Sequence, residues 1–147
     1  MHLDPDTVNL GVDREGAFAE YLMMPASNVV ALPESVSNEV GSILDPFGNA
    51  VHATLSFDLV GEDVLITGAG PIGIMSAAIA EHVGARNVLI SDINDERLKL
   101  AQKVCNAVTF NPTKEKLKEK MQSMGLKEGF DIGLEMSGSE AALDQMV

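Results

Sequence analysis

One stretch constrains this chain more than any other: an apolar run, Val64-Leu65-Ile66-Thr67, passes directly into Gly68-Ala69-Gly70-Pro71-Ile72-Gly73 and then into residues of helical periodicity. An unbroken apolar run suits a parallel strand covered on both faces. The G-x-G-x-x-G spacing between a strand and a helix assigns a separate task to each glycine. Gly68 permits a tight turn, Gly70 lets a ligand approach the backbone, and Gly73 lets helix and strand pack closely. Pro71 is accommodated in the first helical turn. Ile72, Met75, Ile79 and His82 or Val83 recur at helical spacing up to Gly84, which predicts a helix over Pro71–Val83.

The alternation continues downstream. Strand Asn87–Ser91, helix Asp95–Lys103, strand Ala107–Phe110, helix Thr113–Met124 and strand Phe130–Met136 follow in turn, with a further helix starting at Ser139. Leu117, Met121 and Met124 anchor the helix that carries the charges of Lys114 to Lys120. This is the rhythm of parallel βαβ units, so the expected fold class is α/β. It corresponds to a partial doubly wound Rossmann sheet of about four strands, with the fourth strand beside the first in the order 3-2-1-4. Upstream, Ala17–Met23 and Asn28–Leu32 read as short extended pieces, and Ser35–Leu44 as a short helix with a capping serine. Asp45-Pro46-Phe47-Gly48-Asn49 interrupts that helix before an apolar segment, Ala50–Leu59, and Gly61-Glu62-Asp63 reads as a turn. The expected organisation is residues 1–44 as the remnant of an upstream domain, 45–60 as an interdomain helix and 61–147 as a truncated dinucleotide-binding domain.

Charge and cysteine content narrow the function classes. Ten basic against 22 acidic residues leave a net charge of −12, which repels nucleic acid and anionic membrane surfaces. Cys105 is the single cysteine, so an internal disulfide and a Cys-rich zinc cluster are both excluded, and a reducing, cytoplasmic setting is expected. Cys105 itself reads as a small buried hydrophobe. Neither a signal peptide nor a membrane-spanning run is legible.

The glycine motif predicts a dinucleotide site. Unpaired N–H groups and the positive dipole end at the Pro71–Gly73 helix start suit phosphates. Asp92 ends the next predicted strand about 20 residues on, where a carboxylate accepts hydrogen bonds from the adenosine ribose and repels a 2′-phosphate, which favours NAD over NADP. Arg97 is either a cofactor contact or a solvent-facing helix arginine. From the residues alone Asp45 reads as a helix cap or turn residue before Pro46, and His52 either faces a cleft or is structural.

Gly16-Ala17-Phe18-Ala19-Glu20-Tyr21, Asp45-Pro46-Phe47-Gly48-Asn49-Ala50-Val51-His52, the segment Gly61–Gly73 and Phe130-Asp131-Ile132-Gly133-Leu134-Glu135-Met136-Ser137-Gly138 together resemble the zinc-dependent medium-chain alcohol dehydrogenases, and within them the branch acting on L-threonine. The resemblance covers essentially the whole chain. It implies that Ile72, Asp92 and Arg97 contact NAD, and that Asp45 is an acidic residue beside a catalytic zinc, taking part in proton relay or approaching the metal directly. It also implies that residues 1–44 carry remnant strands of a GroES-like catalytic domain. In that family most zinc ligands lie upstream of the position of Met1, and Asp4 stands where a structural zinc lobe ends in cysteine, so no metal ligand is assigned in this chain. The implied activity is hydride transfer from the secondary alcohol of L-threonine to NAD, giving 2-amino-3-oxobutanoate, with this chain alone inactive. A non-catalytic NAD-binding module and another medium-chain polyol dehydrogenase are the other readings. An apolar strand Phe130–Met136 without its fifth-strand neighbour, or swapped N-terminal strands, predicts a homo-oligomer.

Overall fold

The computed structural model describes residues 5–146, so Asp4 and the question of its missing cysteine lie outside the described residues. The chain forms two compact units, Met1–Ser37 and Asn38–Val147. In the first, the extended pieces Ala17–Met23 and Asn28–Leu32 do not become strands. Among the described residues this unit holds a single 3-10 turn, Ala26–Asn28, and one isolated bridge between Leu10 and Arg14. A strand exists only through ladder partners, and these segments pair with none. Arg14 donates to the Met23 carbonyl across 2.7 Å, which ties the segment to itself by a side chain instead.

The second unit begins with α1 (Asn38–Gly41) and α2 (Leu44–Thr54). The expected helix over Ser35–Leu44 is therefore much shorter, and Asp45-Pro46 does not interrupt anything. Pro46 falls in the first turn of α2, where its missing N–H has no intrahelical carbonyl to lose. Four parallel strands follow: β1 (Asp63–Thr67), β2 (Asn87–Ser91), β3 (Val108–Phe110) and β4 (Ile132–Glu135). Their order is β3-β2-β1-β4, as the strand and helix alternation requires, with Leu65 level with Leu89 on one side and Gly133 on the other. The connecting helices are α3 (Pro71–His82), α4 (Asp95–Val104) and α5 (Leu117–Ser123), and α6 (Glu140–Asp144) follows β4.

Successive β1 residues point to opposite faces, and both faces are buried. Val64 and Ile66 join Val88, Ile90 and Leu134 beneath Ile74, Ala77 and Ala80 of α3 and Leu98 and Ala101 of α4. Leu65, Leu89 and Phe110 form the core of the other face, with Leu117, Met124 and Met146 packed on them. Cys105 is buried in the first of these cores, as expected of a small hydrophobe.

Two elements depart from their periodicity. In α3 the buried residues are Gly73, Ile74, Ser76, Ala77 and Ala80, not the larger stripe of Ile72, Met75 and Ile79. The helix is held between the β1 and β2 strands on one side and α2 on the other, and these close contacts are met mostly by its small residues. Meanwhile α5 starts at Leu117 rather than Thr113, because Asn111 captures the intervening backbone. Its side-chain oxygen accepts from the Thr113 N–H at 3.0 Å, and its carbonyl accepts from Lys114 and Glu115.

Asp63 is not in a turn but is the first residue of β1, 3% exposed, and it anchors the amino-terminal end of the sheet. Its carboxylate accepts from Arg86 Nε at 2.9 Å and Nη2 at 2.5 Å, and from Asn87 Nδ2 at 2.7 Å. The Asp63 N–H in turn donates to Asp131 at 2.8 Å, so the starts of three strands are joined. The Arg86 hydrogen bonds hold the Asp63 carboxyl below its ordinary pKa. A carboxylate whose pKa is lower folded than unfolded stabilises fully above its unfolded value, near 3.9, and loses that contribution as pH falls through the folded value. Asp63→Asn is therefore expected to lower stability at pH 7 by about 1–2 kcal/mol, Arg86 being half in solvent. Urea unfolding checks this, and the gap between parent and variant should close below about pH 4.

Candidate functional site

The carboxyl end of β1 is where the three motif glycines act, and each meets a different surrounding. Gly68 has a φ of +98°, and a Cβ there would stand 2.8 Å from the Met136 carbonyl carbon and the Ser137 nitrogen. A Cβ on Gly73 would stand 1.9 Å from the Gly68 carbonyl oxygen. Both positions exclude a side chain because backbone already fills the space. At Gly70 nothing lies within 4 Å of the same probe position. That opening sits at the N-cap of α3, whose first-turn N–H groups have no carbonyl of their own helix to pair with.

A cleft of about 350 Å³ opens at this end of the sheet, within the size range of small-molecule sites. Gly68, Gly70, Asp92, Arg97, Ser137 and Gln145 are among the residues that line it. Asp92 follows β2 directly, and its side chain is 6% exposed. Its Oδ2 accepts from the Ala69 N–H at 2.8 Å and lies 3.6 Å from Arg97 Nη1, while Oδ1 accepts from the Asn94 N–H at 2.8 Å. Asp92 thus holds the glycine loop in place and still presents a carboxylate to the cleft. A carboxylate has about four acceptor positions, so these bonds leave capacity for further donors. Arg97 is 59% exposed on the first turns of α4, close enough to Asp92 to share its field and long enough to reach over the cleft.

Of the residues singled out from the sequence, Gly68, Gly70, Asp92 and Arg97 are therefore gathered around one opening. Pro71, Ile72 and Gly73 form the first turn of α3 beside it, with Ile72 half-buried. Asp45 and His52 lie apart from that lining, both exposed on α2. Asp45 does not cap α2: the N-cap is Ile43, with no side-chain cap bond, and Asp45 contributes its charge to the first turn.

Glu135 left no mark in the motif spacing. It ends β4 and its Oε1 accepts from the Ser137 N–H at 2.7 Å, from the Ser137 hydroxyl and from Thr67 Oγ1 at 3.2 Å. Its Oε2 accepts from the Gly138 N–H at 3.0 Å. The available signal was a glutamate closing an apolar strand just before Ser137-Gly138-Ser139, a donor-rich turn.

The open approach at Gly70, the helix start and the ribose-type acceptor at Asp92 fit a dinucleotide. A zinc ion does not fit in the same way. Among the described residues no three His, Cys, Asp or Glu side chains converge on a point that could hold a metal. No helix among them is long and apolar enough to cross a membrane.

Comparison with known proteins places this geometry. Residues 71–147 match the family model of zinc-binding dehydrogenases. An L-threonine 3-dehydrogenase of Ruegeria pomeroyi is 65% identical over 148 residues, covering 100% of this chain and 43% of that enzyme. Thus the chain spans under half the length of the relatives it matches. A solved short chain alcohol dehydrogenase from Escherichia coli CFT073, complexed with NADH, superposes with a TM-score of 0.79 at 30% identity, covering 88% of this chain and 39% of that one. A Sinorhizobium meliloti 1021 dehydrogenase structure bound to NADP superposes at 0.85 with 25% identity, covering 93% and 41%. With the glycine loop, the parallel sheet and the matched residues in agreement, the chain belongs to the zinc-binding dehydrogenase family.

Proposed function

We propose that this chain is the NAD-binding part of an enzyme that oxidises the secondary alcohol of L-threonine to the ketone of 2-amino-3-oxobutanoate. The observation that carries the cofactor reading is the pairing of an open Gly70 with a cleft-lining Asp92. The substrate reading rests on the 65% identity to an L-threonine 3-dehydrogenase. In the reaction the alcohol carbon gives up a hydride and its hydroxyl a proton, yielding ketone, NADH and H⁺. Bound NAD supplies the hydride acceptor. The α3 start receives the pyrophosphate, Asp92 accepts from the adenosine ribose hydroxyls, Ile72 gives apolar contact and Arg97 reaches over the ribose or adenine. Asp45, an exposed carboxylate on α2, takes up or passes on the alcohol proton. Among the described residues no group of His, Cys, Asp or Glu side chains could hold a zinc ion. The single buried thiol suits a cytoplasmic setting.

Asp92 sets the cofactor preference, since its charge repels a 2′-phosphate. The parent chain should bind NAD at least about tenfold better than NADP in calorimetry. Asp92→Ser also loosens the Ala69 contact and so weakens both, but the ratio should collapse or invert because Arg97 remains. Equal parental affinities would refute the assignment.

The glycines separate folding from binding. Gly70→Val should leave the thermal midpoint nearly unchanged while weakening NAD by about tenfold or more, because its side chain would occupy the approach path. Gly73→Ala should instead cost about 1–3 kcal/mol of stability through collision with the Gly68 carbonyl.

A homo-oligomer joined along β4 is part of the same proposal, since β4 is an edge strand among the described residues. Sedimentation should show a concentration-dependent dimer, and a strictly monomeric profile would remove this element.

A further inference from the structure

Two carboxylates stand at strand ends on either side of β1, and the cofactor reading uses only the one that lines the cleft, Asp92. Asp92 follows β2 on one side of β1, and Glu135 ends β4 on the other. Glu135 is not among the residues that line the cleft, yet it organises several that are. Its carboxylate takes both backbone N–H groups of Ser137 and Gly138, the Ser137 hydroxyl and the Thr67 hydroxyl of β1. Ser137 then extends the chain of bonds: its Oγ donates to Glu135 and accepts from the Ser139 N–H at 3.1 Å. Ser139 is the N-cap residue of α6, and it makes no side-chain cap bond of its own. Ser137, Ser139, Ala141, Ala142 and Gln145 form the wall of the cleft opposite Asp92 and Arg97.

We infer that Glu135 is a positioning residue for dinucleotide binding: its ionised carboxylate fixes the Ser137–Ser139 turn, and through it the start of α6, as one wall of the cleft. The inference rests on the NAD reading of that cleft. Chemically, four donors converge on one side chain, and only an anion offers acceptors to all of them without a competing donor. A glutamine would turn an N–H₂ group towards one of the donors it must satisfy.

The acidity of Glu135 gives an independent readout. Burial, the largest influence, pushes its carboxyl upward, but the hydrogen bonds from Ser137, Gly138 and Thr67 together outweigh it and leave the pKa below the ordinary glutamate value. The ionisable side chains on the surrounding elements are Asp63 at the opposite end of β1, Asp131 before β4, Glu81 and His82 at the far end of α3, Asp92 and Arg97 in the cleft lining, and the exposed Glu140 and Asp144 on α6. Protonation of Glu135 should therefore release the turn only at acid pH, below the usual glutamate range.

The test uses the ¹⁵N-labelled 147-residue chain, its Glu135→Gln and Ser137→Ala variants, and NAD as the probe. In the parent, the Ser137 and Gly138 amide resonances should move together with an apparent pKa below the ordinary value, and in Glu135→Gln that titration should vanish. NAD affinity at pH 7 should fall about tenfold in Glu135→Gln and by less in Ser137→Ala, which keeps the anion and its two backbone bonds but loses both bonds of the Ser137 hydroxyl, to Glu135 and from the Ser139 N–H. Should Glu135→Gln not fold, Ser137→Ala carries the affinity comparison and the parental titration stands alone. Amides that do not titrate, or variants that bind NAD as tightly as the parent, overturn the inference. A parent that titrates as expected but binds no NAD overturns the cofactor reading, and with it the role in binding, while leaving the turn clamp demonstrated.

Discussion

Three backbones meet at Gly68 with no side chain between them. The end of β1, the first turn of α3 and the Met136-Ser137 segment after β4 approach so closely that a single added carbon at Gly68 or Gly73 would overlap backbone atoms. This contact fixes how far α3 sits above the sheet. It also accounts for the residues that α3 buries: a helix held this near a strand presents mainly small residues, Gly73, Ser76, Ala77 and Ala80, with Ile74 the one large aliphatic residue among them. The same closeness places the helix start beside the ends of β2 and β4, and so creates the cleft.

The electrostatics follow from that packing. In a parallel sheet the strand ends expose backbone N–H groups in the loops that leave them, and here two carboxylates collect them. Asp92 collects the loop after β1 and its own turn, and Glu135 collects the loop after β4 and a hydroxyl on β1. Both acids do structural work through these bonds, and those on Glu135 hold its carboxyl below the ordinary glutamate pKa. Asp92 also lines the cleft.

The sheet and the glycine loop were legible because each leaves a local mark. A fully buried strand must be apolar throughout, as Val64–Ile66 and Val88–Ile90 are, and a strand that enters a helix through Gly68, Gly70 and Gly73 is compatible with very few folds. What the sequence concealed depends on partners distant along the chain. Asp63 looked like a turn residue until Arg86 and Asn87 were brought beside it, 23 and 24 residues away. Glu135 joins Thr67 across 68 residues, and no spacing rule anticipates that. Ala17–Met23 and Asn28–Leu32 erred in the opposite direction: extended propensity was visible, but pairing is not a local property. At Pro46 a breaker was read without its position, since the same residue is harmless within the first turn.

The Arg86 junction bears on how such a fold can change over time. It fastens the starts of β1, β2 and β4 at the end of the sheet away from the cleft. Strand alignment is therefore set at one pole, while the loops that touch a ligand leave from the other. Insertions or exchanges in the turns after β1, β2 and β4 do not have to preserve register, because register is secured elsewhere. This division of labour lets one scaffold exchange its ligand-facing loops for new specificities without renegotiating its foundations.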